Sequence, residues 1–322
     1  MPTPQLNTVA IIDAVNKILA GSPSDEVART TGIALTTLLD ATQTYHDAGI
    51  DALRNPASHN TWHQAHIEFT NWDNAVAVAA GEITPALNEL RDEGIARRWW
   101  WIRKYPHWRL RVQREAAISA QTMSTRLRAV ANCHTPDLIH RWQSTIYEPE
   151  TIAFGGINGM DIAHEHFCAD SQFILDYLAD NQPLLGSRET TLLLCTAMLR
   201  TGAGLDRFET ADVWQRVSRL RPPPDATMND KIAALTNDVT ILTGLDTNAI
   251  MDDDHPLNAL SAWLTVFRNT GRQLSTATAT GQLTRGLRET AAHLIIFHWN
   301  RLGLDAHQQA LLANTAQRAA GL

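Results

Sequence analysis

The spacing of apolar residues predicts a helix near the start of the chain and strands after residue 60. Residues 9–19 carry apolar side chains at the three- and four-residue spacing of one helix face. Residues 62–69 alternate apolar and polar side chains, which is the period of a half-buried strand. Two further strands are predicted over residues 99–103 and 108–113, joined by a tight turn at Tyr105–Pro106. The middle of the chain is therefore expected to hold a small sheet.

Helical patterns fill the rest of the chain. Residues 72–90 and 115–130 lie between and after the strands, so the order is strand, helix, strand, strand, helix. This order is typical of a split βαβ unit of ferredoxin-like type. The helices predicted after Gly159 cover residues 161–179, 189–201, 210–220, 228–242, 255–269, 283–302 and 307–320. We therefore predict an α+β fold: a ferredoxin-like split βαβ sheet region, then a largely helical half, with a small helical unit at the N-terminus.

The N-terminal unit resembles a helix-turn-helix. Ser24 is expected to cap its second helix, Gly32 to end that helix, and a third helix is predicted over residues 36–48. A DNA-reading helix needs basic side chains near phosphates, and residues 36–48 contain no Lys or Arg. The pattern favours a structural or peptide-docking unit over a nucleic-acid reader.

A short segment with a proline separates two predicted domains. Residues 55–58 read Asn-Pro-Ala-Ser, a composition typical of linkers. Residues 1–55 are predicted to form the small helical unit, and residues 60–322 one larger domain that carries the sheet and the remaining helices.

Composition places the chain among cytoplasmic globular proteins. It has 322 residues, of which 44% are hydrophobic and 19% charged. No apolar run is long enough to span a bilayer, and the first residues lack the pattern of a secretory signal. Cys133, Cys168 and Cys195 are few and far apart, which argues against a disulfide framework and fits a reducing compartment.

One basic segment stands out in an otherwise acidic chain. The formal net charge is -7, which makes nucleic acid a poor default partner. Residues 97–114 nevertheless hold seven Lys or Arg and no acidic residue. Such a segment suits a negatively charged or carbonyl-rich ligand, and a solvated strand edge is the alternative that the pattern leaves open.

Within this segment, alternation along a strand places His107, Arg109 and Arg111 on one face. The residues of the opposite, apolar face are Trp108, Leu110 and Val112. A row of such donors suits a carboxylate or a carbonyl that gains negative charge. A solvent-facing sheet surface would have the same spacing.

A second candidate segment precedes a pair of glycines. Tyr147, Glu148 and Glu150 come shortly before Gly155 and Gly156, which allow a sharp turn or a close approach of the backbone to a ligand. The tyrosine and the carboxylates are candidates for an acid and a base. An ordinary loop is the alternative.

His298 is a third candidate. On a helix it follows Leu294 and Ile295 by four and three residues, so its face is apolar. A histidine lining a pocket there would be tuned for proton transfer near neutral pH. A buried core histidine is the alternative.

Two other patterns carry no chemistry. His164 and His166 are two residues apart and therefore do not share a helix face, so we predict no metal site. The chain also lacks a glycine-rich phosphate loop and a Gly-x-Ser-x-Gly elbow, and we predict no cofactor.

Taken in order, these motifs resemble the elimination domain of lanthipeptide dehydratases. They are Trp99-Trp100-Trp101-Ile102-Arg103-Lys104, His107-Trp108-Arg109-Leu110-Arg111, Tyr147-Glu148-Pro149-Glu150 with Phe154-Gly155-Gly156, Ala163-His164-Glu165-His166-Phe167, and Phe297-His298-Trp299-Asn300-Arg301. The likeness runs from residue 62 to the C-terminus and is strongest to the stand-alone branch of thiopeptide-type bacteriocin biosynthesis proteins.

The resemblance implies chemistry on a ribosomally made peptide. In the dehydratases, this domain removes glutamate from glutamylated Ser or Thr. Arg109, Arg111, Glu150 and His298 match the residues that bind glutamate and transfer protons in that family. The family has an arginine where this chain has Ala153, which removes one glutamate-binding cation unless Arg103, Arg114 or Arg301 replaces it in space.

The same fold serves pyridine synthases, which join two dehydroalanines by a formal aza-[4+2] cycloaddition with loss of water and leader peptide. The resemblance then implies Arg109 and Arg111 as donors, and Tyr147, Glu150 and His298 as proton-transfer groups. Substrate contacts are expected from His107, Arg103, Asn300 and Arg301. We favour this reaction because it needs no glutamate pocket. Glutamate elimination and a non-catalytic leader-binding role are the alternatives.

The expected partners follow from the same resemblance. They are a precursor peptide with its leader and modified core, a partner dehydratase, and a second copy of the chain in a homodimer.

Overall fold

A computed structural model describes residues 8–54, 61–132, 137–180 and 182–321. The chain divides into two compact units, Met1–Asn60 and Thr61–Leu322, which are treated separately below. Cys133 and the predicted linker at residues 55–58 lie outside the described residues.

The first unit is a three-helix cluster. Its helices are α1 (Thr8–Leu19), α2 (Ser24–Thr31) and α3 (Leu35–Arg54). Buried Ala14, Val27 and Leu38 form its small core. Gly32 ends α2 in the left-handed conformation, with φ of 70°, as predicted. Two details of the prediction were wrong. Pro23 rather than Ser24 precedes α2 as its cap residue, and α3 continues well beyond residue 48.

A four-stranded sheet forms the centre of the second unit. Its strands are β1 (Trp62–Phe69), β2 (Ala96–Lys104), β3 (His107–Arg114) and β4 (Ile139–Thr145). The order across the sheet is β2-β3-β1-β4, and every neighbouring pair is antiparallel. This is the ferredoxin-like split βαβ arrangement that the sequence predicted. The edge strand β4 was not predicted, because most of its side chains are polar or exposed and give no apolar alternation.

The two faces of the sheet have different roles. On one face, Trp101 stacks on Trp108 with ring centroids 4.0 Å apart, and both line a small cavity together with Leu110 and Leu87. This face is the apolar core that alternation predicted. On the other face, Trp100 packs against Phe167 of the helical half. The polar side chains of β1 and β3 on this face are half-buried to buried, and we call the surface that they form the groove; they are Gln64, His66, Glu68, His107, Arg109 and Arg111.

Short helices connect the strands. They are α4 (Ala75–Val78), α5 (Thr84–Asp92) and α6 (Ala120–Asn132). The single helix predicted over residues 72–90 is divided by a 3-10 turn before α4 and a wide π-type turn at Ala79–Ile83. The helix predicted from residue 115 begins only at Ala120.

Seven helices follow β4 within the described residues. They are α7 (Ile157–Ala179), α8 (Ser187–Thr196), α9 (Arg207–Arg219), α10 (Ala226–Thr243), α11 (Ser261–Ala279), α12 (Leu287–Leu302) and α13 (Ala306–Ala319). The prediction placed α11 at residues 255–269, but the chain there begins with short turns and the helix starts at Ser261. None of the helices in the described ranges has both the length and the apolarity to cross a bilayer.

Candidate functional site

The candidate site is the groove, which is the polar face of the sheet formed by β1 and β3. His107, Arg109 and Arg111 lie on one face of β3, and the register pairs Arg109 with His66 and Arg111 with Gln64 on β1. The alternating residues of β3 on the other face are buried in the core. The structure therefore brings a row of cations and imidazoles together beside the groove, at half-buried to buried positions.

Arg111 is the most enclosed member of this row. Its guanidinium carbon lies 4.1 Å from the ring centroid of Trp100 and 4.6 Å from that of Tyr147, so the group is held between two aromatic rings. Its Nε donates to Gln64 Oε1 at 2.8 Å. Burial lowers the pKa of Arg111 to about 10, which leaves the group charged at neutral pH. Its Nη1 is buried and has no hydrogen-bond partner among the described residues.

Tyr147 forms the adjoining side of the site. Its hydroxyl lies 2.8 Å from Nε2 of His164, a buried residue near the start of α7. Burial raises the pKa of Tyr147, and the nearby Glu150 carboxylate raises it further while the Arg111 charge opposes both. The phenol is therefore protonated at neutral pH. Together Tyr147 and His164 form a hydrogen-bonded pair that can donate and take back a proton.

The segment after Tyr147 is a compact turn that holds Glu150 near the groove. Glu150 is exposed, and its backbone oxygen accepts from Ala153 N at 3.0 Å. The two glycines that follow have φ of 83° and 96°, which L side chains rarely adopt. Thr284 N donates to Gly155 O at 2.8 Å, and Arg285 Nη1 donates to Ala153 O at 3.2 Å. The paired glycines thus allow a tight turn that is fixed to the segment before α12.

The first turn of helix α7 packs directly against the segment that contains Phe154 and the paired glycines. A Cβ on Gly159 would overlap the backbone carbonyl of Phe154. We expect Gly159→Ala to push the turn away from α7, to lower the free energy of unfolding by about 1–3 kcal/mol, and to reduce turnover as Glu150 shifts. Thermal unfolding and activity measure the two effects. Gly81→Ala is the control, because a Cβ there meets nothing within 4 Å. Equal behaviour of the two variants would contradict the packing described.

His298, predicted to transfer protons, lies in the core and not in the groove. Its side chain is fully buried, and its Nδ1 lies 2.9 Å from Asp170 Oδ2. Asp170 also accepts from Arg301 Nη2 at 2.6 Å and from Trp263 Nε1 at 2.8 Å. These neighbours hold the pKa of Asp170 well below its usual range, against the effect of its burial. This location fits the alternative of a buried core histidine.

The remaining predicted substrate contacts also lie elsewhere. Arg301 is fully buried against Asp170. Arg103 donates from Nε to the backbone oxygen of Arg301 at 3.0 Å, and so caps the end of α12. Asn300 accepts from Gln309 of α13 at 3.0 Å. Of the residues proposed from the sequence, only His107, Arg109, Arg111, Tyr147 and Glu150 gather at the groove.

An aromatic stack links the buried cluster to the groove. The Arg301 guanidinium lies 4.6 Å from the ring centroid of Phe167, whose ring centroid is 4.6 Å from that of Trp100. Trp100 in turn contacts Arg111. The ion pair between Asp170 and Arg301 therefore supports the aromatic ring on which Arg111 rests.

His166 belongs to the same buried region. Its Nδ1 lies 3.1 Å from Thr270 Oγ1, and burial lowers its pKa to about 3. The unfolded chain takes up a proton at this histidine below pH 6.5, whereas the folded chain does so only near pH 3. Folding stability is thus lost as the pH falls through this window, by up to about 1.4 kcal/mol per pH unit.

We expect His166→Asn to flatten the pH dependence of the free energy of unfolding between pH 6.5 and pH 3. Denaturant titrations at several pH values measure it. His140→Asn, at an exposed position of β4, is the control and should keep the wild-type slope. If the free energy of unfolding of His166→Asn changed with pH in parallel with that of the wild type, this histidine would not be responsible for the pH dependence.

Sequence reasoning missed the contribution of β1 to the groove. Gln64, His66 and Glu68 alternate along β1 and share the face of the β3 row. His66 and His107 have ring centroids 5.6 Å apart, and His107 Nε2 lies 3.8 Å from Glu68 Oε2. The split βαβ order places β1 beside β3. Combined with the alternation of side chains along each strand, this order would have predicted that β1 contributes to the groove. His164 was set aside as a false metal ligand, although it bonds to Tyr147.

Comparison with known proteins agrees with this architecture. The model of the family described as lantibiotic biosynthesis dehydratase C-term matches residues 62–320. The chain belongs to this family, which confirms the resemblance found in the sequence. No curated protein matches the chain significantly by sequence.

Three solved structures share the fold. The tRNA-dependent lantibiotic dehydratase MibB from Microbispora sp. 107891 is 19% identical, with a TM-score of 0.62 over 81% of this chain and 28% of MibB. TsrL is 16% identical, with a TM-score of 0.56 over 80% of this chain and 94% of TsrL. TbtD, a pyridine synthase from thiomuracin biosynthesis, is 14% identical, with a TM-score of 0.55 over 81% of this chain and 98% of TbtD. The chain thus spans less than a third of MibB.

Proposed function

We propose that this protein matures a ribosomally made peptide by joining two dehydroalanines in a formal aza-[4+2] cycloaddition, followed by loss of water and of the leader peptide. One observation carries the proposal: the buried Nη1 of Arg111 has no hydrogen-bond partner among the described residues, and the guanidinium lies beside the Tyr147–His164 pair. The site thus combines a fixed cation with a protonated phenol, and the proposed reaction needs both.

Each group has a defined task in this chemistry. Arg111 and Arg109 donate to the oxygen of the reacting amide and favour its iminol form, because a fixed donor stabilises charge that develops on oxygen. Tyr147 supplies a proton to a leaving group and regains it afterwards. Burial raises the pKa of Tyr147, and the charge of the nearby Glu150 adds to this effect.

The residue at position 153 favours cycloaddition over glutamate elimination. The family's additional glutamate-binding arginine is replaced by Ala153. The three cations considered as substitutes are engaged elsewhere, since Arg103 caps α12, Arg301 pairs with Asp170, and Arg114 donates to the backbone oxygen of Ile118 at 2.5 Å. The groove therefore has one glutamate-binding cation fewer than the family pattern, which favours the reaction that needs no glutamate pocket.

Glutamate elimination is the second candidate. The chain belongs to a dehydratase family, and Arg285, which bonds to the oxygen of Ala153, lies where a third cation would be needed. Its charge is already paired with Glu289 at 2.9 Å, which weakens this alternative.

The proposal includes the setting of the reaction. The substrate is a precursor peptide with a leader and a dehydrated core, a dehydratase supplies that core, and the reaction takes place in the cytoplasm. Residues 60–322 form the catalytic domain in this proposal, and residues 1–55 a helical unit that docks peptide. A homodimer is part of the same proposal.

Mass spectrometry of two synthetic peptides incubated with the purified protein tests the proposal. One peptide carries a leader and two spaced dehydroalanines, and the other carries a glutamylated serine. Release of the leader with loss of water from the first, and no change in the second, is the expected result. Loss of glutamate from the second alone would replace cycloaddition by elimination. Conversion of neither, by a folded protein with a range of leaders, would favour a non-catalytic role.

A further inference from the structure

The eliminations in the proposed reaction require a group that accepts a proton from carbon. Tyr147 is protonated and serves as the donor, and His298 is buried away from the groove. The acceptor is then either the exposed Glu150 carboxylate or another residue at the polar face of the sheet.

His66 has the required position. It lies on β1 directly opposite Arg109 of β3, on the face that carries Arg111 two positions further along that strand. Its side chain is half-buried, so it is open to the groove while the strand fixes its direction. Gln64 of the same strand bonds to Arg111 and approaches a ring nitrogen of His66 at 3.5 Å. The imidazole is thus adjacent to the cations that would hold the reacting amide.

Burial and the surrounding positive charges favour the neutral form of this imidazole. Burial, and then the charges of Arg109, His107 and Arg111 on β3, lower the pKa of His66. On its own strand Glu68 lies two residues away on the same face. On β4 the uncharged Gln143 lies opposite His66, and Arg141 lies opposite Glu68, two pairs further along. A neutral imidazole at neutral pH is ready to accept a proton.

We propose that His66 is the catalytic base of this site, an inference that rests on the proposed function. In the dehydration step, a ring nitrogen of His66 takes the proton from the ring carbon next to the carbon that bears the hydroxyl. The electron pair of that C–H bond forms the new double bond as the C–O bond breaks. The hydroxyl leaves as water with the phenolic proton of Tyr147, and the imidazolium then returns its proton to the phenolate through solvent.

The sequence of the chain provides a matched control for this proposal. His63 lies on the same strand three residues earlier, on the opposite face of the sheet, and is also half-buried. Burial and Arg114 lower the pKa of His63, so the pKa values of both histidines are shifted in the same direction. Replacement of either histidine removes an imidazole from β1, but only His66 faces the groove.

The test compares His66→Asn and His66→Gln with His63→Asn on the peptide with two dehydroalanines. Loss of a general base is expected to lower kcat about 100-fold or more while KM stays within about threefold. The acidic limb of the wild-type kcat profile should be absent in both His66 variants, and added imidazole should restore part of the rate. His63→Asn should keep the wild-type rate and profile.

The outcomes separate the two proposals. If the wild type converts the peptide and the His66 variants retain kcat within threefold, or if His63→Asn loses as much activity as they do, His66 is not the base. If the folded wild type converts neither test peptide, the proposed function itself has failed. Circular dichroism and thermal unfolding establish that each variant is folded.

Discussion

Replacement of Arg111 with lysine is expected to lower the turnover of the proposed substrate about 100-fold or more, as removal of one fixed donor to a developing oxyanion does. Lysine keeps the positive charge but loses the planar guanidinium that lies between Trp100 and Tyr147. It also loses the unpartnered Nη1 that would donate to the substrate. Steady-state kinetics by mass spectrometry measures the change, which should appear mainly in kcat.

Arg114→Lys is the control for this variant. Arg114 lies on the same strand, three residues along and on the other face, and donates to backbone oxygens of the segment after β3. We expect this variant to keep its turnover within about twofold. If Arg111→Lys retained wild-type kcat in a folded protein, Arg111 would have no part in the chemistry.

Asp170→Asn is expected to destabilise the protein by about 3–5 kcal/mol, the usual effect of removing one partner of a buried ion pair. The carboxylate is fully buried and accepts from Arg301, His298 and Trp263, so its neutralisation leaves the Arg301 charge without compensation. Denaturant unfolding at neutral pH measures the loss.

Asp176→Asn tests whether the effect belongs to the buried cluster. Asp176 lies on α7 as well but is exposed, and its replacement should change stability by less than about 0.5 kcal/mol. Similar losses in the two variants would show that α7 is sensitive to any such change. A small loss in both would show that the ion pair of Asp170 contributes little.

The sheet was predictable from the sequence because its faces differ strongly. The apolar alternation of β1 and β3 and the aromatic run of β2 identified three strands, and the order of strands and helices identified the split βαβ unit. Strand β4 was not predicted, because it lies at the sheet edge with most of its side chains exposed and therefore has no apolar pattern. Pairing with β1 and not composition makes this segment a strand.

The candidate site was predictable only where strand geometry decides it. His107, Arg109 and Arg111 share a face because a strand alternates, and the structure places all three at the groove. The roles on α12 were not predictable in this way. A helix buried on every side gives His298 and Arg301 the same local pattern whether they meet a substrate or the core.

The partner of His298 lies in a distant segment of the chain. Asp170 lies 128 residues earlier in the chain, and only the packing of α7 against α12 brings the two together. Other contacts between separate segments join Tyr147 to His164 and place β1 beside β3. Contacts between separate segments determine which residues come together, and the local spacing of residues in the sequence does not reveal them.

Photocrosslinking of a bound substrate peptide tests the central claim most directly, namely that the reacting segment lies on the polar face of the sheet. The peptide carries a leader, dehydroalanines and a photoreactive residue next to the reacting position, and mass spectrometry of the digested adduct locates the crosslink. The expected sites are β1, β3 and the turn after Tyr147. Crosslinks confined to α8, α10 or α13, whose side chains line a separate cavity, would place the reaction elsewhere and contradict the account.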